Sequence, residues 1–287
     1  MKYSGAMKEK LDLPEDEGLQ PSPEPPRGTI VPFKLPTRHN ARLTKLVEII
    51  NADVDVFALW ECANVNAVTR LGMSDHGPIH VRIIANIALK MHRLLIAAGV
   101  EPSIVKDHGL TNDDSEVVTV LAALTHDLGM SIHRADHEQF SLFVAQTKLI
   151  EWLKKVYPVR EATIVRSETL HAIIAHRSGG KPLTLEAGIV RVADALDMAK
   201  GRSRIPFETG QVNIHSLSAA AIEKVGISAG EAKPIHIDVT MNNSAGIFQL
   251  DELLKEKLKG SGLEPYVEVV ATIDGEAEKK LVQVFRL

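Results

Sequence analysis

The sequence has little of three features that would assign a chain to a particular class of protein. It contains a single cysteine, Cys62, so no disulfide can form within the chain; this excludes a disulfide-stapled scaffold and favours a reducing compartment. No apolar run approaches the ~18 residues that a membrane-spanning helix needs. Aromatic residues make up only 4% of the chain, which leaves few side chains on which single-stranded nucleic acid could stack.

The net charge and the composition further limit the class of protein to which the chain can belong. The formal net charge is -4 and no long basic run occurs, so we expect no nucleic-acid partner. A hydrophobic content of 45% over 287 residues predicts a soluble globular protein with one large domain or two. The first residues lead into charged residues and not into an apolar signal core. We therefore expect a cytoplasmic protein with no membrane partner.

Residue patterns divide the chain into three regions. Residues 1–36 are rich in proline and acidic residues, which predicts an extended or disordered lead-in. Residues 37–206 carry apolar residues at helical spacing, which predicts an all-α domain. Residues 207–287 contain the alternating stretches Ile235–Met241 and Tyr266–Val270 around a helical pattern, which predicts a small α+β domain with an antiparallel or mixed sheet. The predicted fold class is mainly α.

Histidine is the residue type that stands out, with 12 in the chain. The stretch Thr125–Gly129 follows an apolar run, Val117–Leu124, that predicts a buried helix, and it contains His126 next to Asp127. Imidazole and carboxylate are both ligands of divalent metals, although such a pair can also simply cap a helix. Because neighbouring residues point apart on a helix, the helix must end here if both side chains are to reach one ion.

Further candidate ligands lie on other predicted helices, as a metal site inside a helical bundle requires. They are His80, His171, His176 and Asp194. His80 is favoured over His76, and Asp194 over Asp197, which could instead orient a ligand or pair with Arg191 or Lys200.

The ordered set His80, His126-Asp127 and Asp194 resembles the pattern of the HD-domain superfamily of metal-dependent phosphohydrolases. The resemblance extends over about residues 70–205 and includes the surroundings of each part: Ile84-Ala85 after His80, Leu128-Gly129 after the pair, and Val190–Asp197 around Asp194.

The resemblance implies an all-α core and a divalent metal (Fe, Mn, Ni, Co, Zn or Mg) held by His80, His126, Asp127 and Asp194. A second metal, with Asp127 bridging the two, would draw on His133, His137, His171 and His176. The implied chemistry is hydrolysis of a nucleotide or other small phosphoester by a metal-activated water, with Asp127 and His126 as the catalytic pair.

The sequence departs from two subfamilies of that superfamily. Cyclic-dinucleotide phosphodiesterases usually carry a lysine where this chain has Met130, and also a Gly-Tyr-Pro signature that is absent here. Guanosine-tetraphosphate hydrolases carry Glu-Asp soon after the His-Asp pair, which is also absent. Two alternatives to hydrolysis stay open: a non-catalytic metal protein that senses a nucleotide, and a di-iron oxygenase of the same superfamily.

Basic residues close to the candidate ligands could bind phosphate oxygens, for which arginine offers a planar pair of donors. They are Arg177, Lys181, Arg202 and Arg204, for which a solvated loop is the alternative. The C-terminal region shows no catalytic signal, and we expect it to serve dimerisation or ligand sensing. The expected partners are a small phosphorylated substrate or nucleotide and, in a homodimer, a second copy of the chain.

Overall fold

Eight α-helices form the first part of the chain in the computed structural model, which describes residues 32–199, 214–274 and 284–286. They are α1 (Ala41–Asn51), α2 (Val54–Asn64), α3 (Pro78–Ala97), α4 (Ser103–His108), α5 (Asn112–Thr125), α6 (His137–Leu153), α7 (Val159–Ala175) and α8 (Leu185–Leu196). The predicted helical bundle is confirmed. No helix within the described ranges is long and apolar enough to cross a membrane.

The predicted lead-in and the predicted domain boundary lie largely outside the residues that the structure describes. Residues 1–31 of the lead-in, and the boundary between residues 206 and 207, lie outside the described residues. Residues 32–36 form neither helix nor strand, and Phe33 among them is buried. The lead-in is therefore tied to the bundle at least from this phenylalanine onward.

The centre of the bundle is α5, in which every residue from Asp114 to Thr125 is buried. It packs against α1, α3, α4, α7 and α8. A helix without a polar face is stable only when other elements surround it, as here. At its end the indole Nε1 of Trp60 donates to the carbonyl oxygen of Leu124 at 3.1 Å. That bond satisfies one of the carbonyls that a helix end leaves without an intrahelical partner.

Side chains cap the N-termini of four of these helices. The caps are Asn40 for α1, Asp53 for α2, Thr111 for α5 and Thr184 for α8. Asp53 precedes apolar residues at helical spacing, so the sequence predicts it as a cap, and the structure confirms this. For α5 the sequence predicts a loop supplying the cap at residues 112–115, but these residues form the first helical turn. Thr111 caps it instead, because its hydroxyl and the carboxylate of Asp114 form a reciprocal capping box.

The spacing of apolar residues predicts a helix from His137 to about Val156 and another from Leu185 to Lys200, but both helices end earlier. α6 ends at Leu153 and not at Val156, because the next residues turn back onto the Leu153 carbonyl ahead of Pro158. α8 ends at Leu196 and not at Lys200. There Asp197 leaves the helix with ψ 62, and its carboxylate accepts a hydrogen bond from another helix.

The C-terminal part forms a short helix and a mixed four-stranded sheet. Its elements are α9 (Ile214–Ala220), β1 (Ile222–Ala229), β2 (Ile235–Met241), β3 (Val267–Ile273) and β4 (Val284–Arg286). The strand order is β1-β2-β3-β4, with β2 and β3 parallel and both outer pairs antiparallel. The small α+β unit predicted from the sequence is confirmed.

Strand β1 is one of the elements that the sequence does not predict. Its register against β2 shifts between Ile222 and Lys224, so the strand carries an irregularity near its start. Such a bulge breaks the strict alternation of apolar and polar residues, which is the main sequence signal of a strand.

The parallel strands β2 and β3 require a crossover connection, and the predicted helical segment supplies it. A π-helix (Gln249–Leu254) runs into α10 (Lys255–Leu258). This segment contacts α8, while β1 and β2 contact α3. The C-terminal part therefore packs on the two helices that carry His80 and Asp194.

Gly129 allows a close backbone approach that sets the start of α6. It lies in a short 3-10 helix (Leu128–Ser131), and its amide donates to the hydroxyl of Ser141 at 2.8 Å. A Cβ atom at this position would overlap the carbonyl oxygen of His137 and the amide nitrogen of Ser141. Only glycine fits between these two backbone segments.

We predict that Gly129→Ala destabilises the protein by roughly 1–3 kcal/mol or more, because an inserted methyl group must push two backbone segments apart. Denaturant unfolding measures the change. Gly226→Ala is the control, since a Cβ there would meet its nearest neighbour, the carbonyl oxygen of Asp238, at an ordinary 3.7 Å. Equal stability of the two variants would contradict the prediction.

Candidate metal centre

His126 and Asp127 lie where the central helix stops. α5 ends at Thr125, and Asp127 has already left helical geometry with φ -105 and ψ 9. This is the helix end that the sequence requires if both side chains are to face one point. Both residues are buried, His126 completely.

His80 is held at the first turn of α3 by two carboxylates. Asp75 Oδ1 accepts from the backbone amides of Gly77 at 3.1 Å and His80 at 3.0 Å, which fixes the start of the helix. Asp197 Oδ2 lies 2.6 Å from His80 Nδ1 and fixes the orientation of the ring. Of the roles left open for Asp197, the structure shows contact with a candidate ligand and not with Arg191.

Six candidate ligands from five segments of the bundle meet at one place. They are His80, His126, Asp127, His137, His176 and Asp194. They come from the start of α3, the end of α5, the start of α6, the end of α7 and the last turn of α8.

One oxygen of Asp127 faces two of the histidines. Its Oδ2 lies 3.4 Å from His80 Nε2 and 3.3 Å from His126 Nε2. Asp194 Oδ1 lies 3.7 Å from each of the same two nitrogen atoms. Ligands about 2.1 Å from one ion lie roughly 3–3.6 Å apart, so these separations are close to those of atoms that share a cation.

The other oxygen of Asp127 faces a second pair of histidines. Its Oδ1 lies 3.3 Å from His137 Nε2 and 3.7 Å from His176 Nε2. The Asp127 carboxylate thus separates two groups of donor atoms, each of which contains two imidazoles.

In three of the histidines, Nδ1 faces away from Asp127, and its hydrogen bond there sets the tautomer of the ring. His126 Nδ1 lies 2.9 Å from the Ala123 carbonyl, His176 Nδ1 lies 2.6 Å from the Ile173 carbonyl, and His80 Nδ1 faces Asp197. These oxygens can only accept, so each Nδ1 carries a proton and each neutral ring presents the Nε2 lone pair to the carboxylates. His137 Nδ1 lies between the carbonyl and guanidinium of Arg134, at 3.1 and 2.8 Å, and either tautomer fits there.

Lone pairs that face carboxylate oxygens repel them unless a cation lies between. His126 Nε2 is buried and makes no hydrogen bond within the described residues. Burial alone would lower the pKa of His126, but Asp127 and Asp194 outweigh it and raise that pKa to about 10. The negative charge that favours a proton at this nitrogen equally favours a metal ion in its place. The donor set therefore fits a divalent metal.

Three of the other candidate ligands have the protonation states that metal binding needs. Burial raises the pKa of Asp127, but the neighbouring histidines, His126 first, outweigh it and hold that pKa well below its usual range. Burial is likewise outweighed at Asp194, where Lys257 is the main opposing charge and the pKa also falls well below its usual range. Burial lowers the pKa of His176 to about 3. At neutral pH the two carboxylates are therefore ionised and His176 is neutral.

Two histidines predicted as candidates for a second metal lie elsewhere. His133 is exposed, and its Nδ1 accepts from the amide of Ala135 at 3.0 Å. His171 Nε2 accepts from the amide of Leu183 at 3.0 Å. Both rings are engaged away from the other candidate ligands, so the structure does not bring these two residues to the converging set.

The predicted phosphate-binding residues are not the basic residues found at the site. Arg177 and Lys181 are exposed, and neither lines the cavity beside the candidate ligands. Arg202 and Arg204 lie outside the described residues.

A cavity of ≈ 580 Å³ opens beside the ligands, and three basic residues that the sequence reasoning missed line it. They are Arg134, Arg191 and Lys257. Arg134 could have been found, since it lies in the polar connection between Asp127 and His137. Lys257 could not, because it comes from the C-terminal unit, where no spacing rule connects it to the ligands.

Comparison with known proteins identifies a family and a relative. A sequence model of the HD domain matches residues 79–199, which contain all six converging residues. The chain is 46% identical over 228 residues to "Uncharacterized protein MJ1020" of Methanocaldococcus jannaschii, an alignment that covers 79% of this chain and 87% of that protein. No solved structure matched.

We predict that Asp197→Ala weakens binding of Mn²⁺ or Zn²⁺ by about 10–100-fold, because removing the partner of a ligating histidine frees its ring to rotate. Isothermal titration of the purified variant gives the affinity. Asp107→Ala, at an exposed position on α4, is the control. An affinity unchanged from that control would show that Asp197 does not orient His80 for a metal.

Proposed function

Because this chain belongs to the HD-domain superfamily, whose members are generally metal-dependent phosphohydrolases, we propose that it hydrolyses a nucleotide or another small phosphoester. The observation that carries the proposal is the position of Asp127, whose two oxygens each face a separate pair of imidazoles. A carboxylate in that position can bridge two cations, which is the arrangement used to clamp a phosphoryl group.

The proposed ligands divide between the two oxygens of Asp127. His80, His126 and Asp194 Oδ1 would hold one ion together with Asp127 Oδ2. His137 and His176 would hold a second ion together with Asp127 Oδ1. Four imidazoles among the six ligand residues favour iron, manganese, cobalt, nickel or zinc over magnesium, which prefers oxygen ligands.

When bound, a divalent metal supplies a water of lowered pKa and positive charge for the phosphoryl oxygens. The side chains of the chain itself prepare that chemistry. Asp127 and Asp194 are held ionised, and the hydrogen bonds at Nδ1 hold the imidazole rings in place before substrate arrives. Arg134 lies at the cavity wall beside His137, where its guanidinium can meet phosphate oxygens with paired donors.

The charge of the cavity supports a metal-dependent phosphoester site over a metal-free anion site. Six carboxylates line it against three lysine and arginine side chains, and Arg191 and Lys257 among these are already bound to protein oxygens. An anionic substrate would be repelled from such a surface until cations neutralise it.

The size and the apolar lining of the cavity suit a small organic phosphate. Its ≈ 580 Å³ lies within the range of about 300–1,000 Å³ typical of small-molecule sites. Leu71, Met73, Met198 and Leu253 line it together with the polar groups. Such side chains can pack against the organic part of a substrate, such as a nucleobase. The cytoplasmic location and the homodimer stay predictions.

We predict that His126→Ala loses bound metal and lowers phosphoesterase activity by at least about 100-fold. Loss of a residue that only orients a metal ligand costs about 10–100-fold, and loss of the ligand itself should cost at least as much. Metal analysis and hydrolysis of a nucleotide panel with bis(p-nitrophenyl) phosphate, on one preparation, test both effects. His236→Ala is the control, because that residue lies on β2 and pairs with Glu268.

Three outcomes would overturn the proposal. Unchanged metal content and activity in His126→Ala would contradict the proposed metal centre. Bound metal without hydrolysis across the panel would identify the sensing alternative. Two irons per chain with oxygen consumption would identify the oxygenase.

A further inference from the structure

One cation at the metal centre comes from the far end of the chain. Lys257, on α10 of the C-terminal unit, places its Nζ 3.1 Å from Asp194 Oδ2 and also donates to the carbonyl oxygen of His176. Its side chain is only 17% exposed. A single ammonium group therefore touches residues at the ends of both α7 and α8, the helices that deliver His176 and Asp194.

The backbone of Lys257 is fixed by a buried arginine on α8, the same helix that carries Asp194. Arg191 Nε donates to the Lys257 carbonyl at 2.9 Å and its Nη2 to the Glu256 carbonyl at 3.1 Å. The same guanidinium donates through Nη1 to the carbonyls of Arg177 at 2.6 Å and Gly180 at 2.8 Å. One planar side chain thus joins α10 to the turn that follows His176.

A glycine on α8 allows the C-terminal unit to approach this closely. A Cβ at Gly188 would overlap the carbonyl oxygen of Ser261, which lies just after α10. Gly188 is three residues before Arg191, on nearly the same side of the helix. The two residues together form a docking surface for the segment that carries Lys257.

The two oxygens of Asp194 have different partners. Oδ1 faces the Nε2 atoms of His80 and His126, and Oδ2 faces Lys257. An ammonium group on Oδ2 holds the carboxylate plane in one orientation and leaves Oδ1 for the ion. Without it, the carboxylate would be free to rotate or to chelate with both oxygens.

From these contacts we propose that the C-terminal unit is part of the metal centre, with Lys257 as the positioning residue that turns Asp194 towards the metal. The inference rests on the proposed metal-dependent function, and it assigns to the C-terminal unit a role other than dimerisation or ligand sensing. Metal affinity in this chain then depends on the contact between its two units.

The test compares Lys257→Met with Lys257→Arg, and with Lys255→Met as the matched control. Lys255 lies on the same short helix, is exposed, and pairs only locally with Asp251 at 2.6 Å. Arg191 binds the carbonyl of Lys257 and not its side chain, so docking of the unit should survive the substitution. Thermal unfolding followed by circular dichroism checks this.

We expect Lys257→Met to bind Co²⁺ or Mn²⁺ about 10–100-fold more weakly, as loss of the partner of a metal ligand does. The visible absorption spectrum of its Co²⁺ form should also change, because Asp194 coordinates differently. Lys257→Arg should restore affinity and spectrum to within a few-fold of the parent protein, and Lys255→Met should match the parent.

An unchanged Co²⁺ affinity and spectrum in Lys257→Met would overturn the inference. If KM for a phosphoester rose while metal binding stayed the same, the lysine would contact substrate instead of positioning Asp194, which overturns it equally. A parent protein that binds metal but hydrolyses nothing would overturn the proposed hydrolysis alone, since these readouts concern metal binding. A parent protein that binds no metal would overturn both.

Discussion

The carboxylate of Asp127, buried where five helical segments meet, is the group on which the arrangement of the site depends. A buried carboxylate is stable only if nearby groups compensate its charge. Here four imidazoles surround it, and at least three of them have Nδ1 engaged elsewhere, so each of these rings, when neutral, directs its Nε2 lone pair towards it. Positive charge between the carboxylate and the rings relieves this repulsion, and the raised pKa of His126 shows that the site favours such charge. A proton can supply it at one ring, whereas a metal ion can supply it to several rings at once.

The bundle supplies what such a centre requires, which is convergence of ligands from rigid elements. The buried helix α5 ends just before His126, and Trp60 binds the Leu124 carbonyl at that end. Asp75 fixes the turn that presents His80, and Gly129 brings the start of α6 close enough to present His137. Each ligand is thus held by contacts that do not involve the metal, which limits reorganisation when an ion binds.

The C-terminal unit adds a contact across the two parts of the chain. Arg191 and Gly188 of α8 provide the surface on which the segment around α10 docks, and that segment carries Lys257 to the proposed ligand Asp194. Its residues also form one wall of the cavity, so the unit can influence which substrate fits. A part of the chain without its own catalytic signal can in this way control both metal binding and specificity.

Candidate ligands that belong to a linear motif could be identified from the sequence. Those whose role depends on the direction in which a side chain points in the folded protein could not. His80, His126, Asp127 and Asp194 follow a linear pattern, and the structure brings all four together. His171 and His176 lie on one helical stretch, but five residues correspond to about 140° around a helix axis at 3.6 residues per turn. Only one of them can therefore face Asp127, and the sequence could not tell which.

The other features that could not be predicted from the sequence also depend on backbone direction or tertiary contacts. The reversal at Asp136, with φ 58, separates the directions of His133 and His137. The register shift in β1 removes the alternation by which strands are recognised. Lys257 reaches the site only because the C-terminal unit docks on α8, a tertiary contact that no local pattern encodes.

Anomalous diffraction from crystals of the Mn²⁺- or Zn²⁺-loaded protein tests the central claim most directly, because it locates each ion relative to Asp127. The account predicts two peaks, one on each side of that carboxylate and each about 2.0–2.2 Å from one of its oxygens. A single peak that involves only one oxygen, or ions bound away from Asp127, would contradict it.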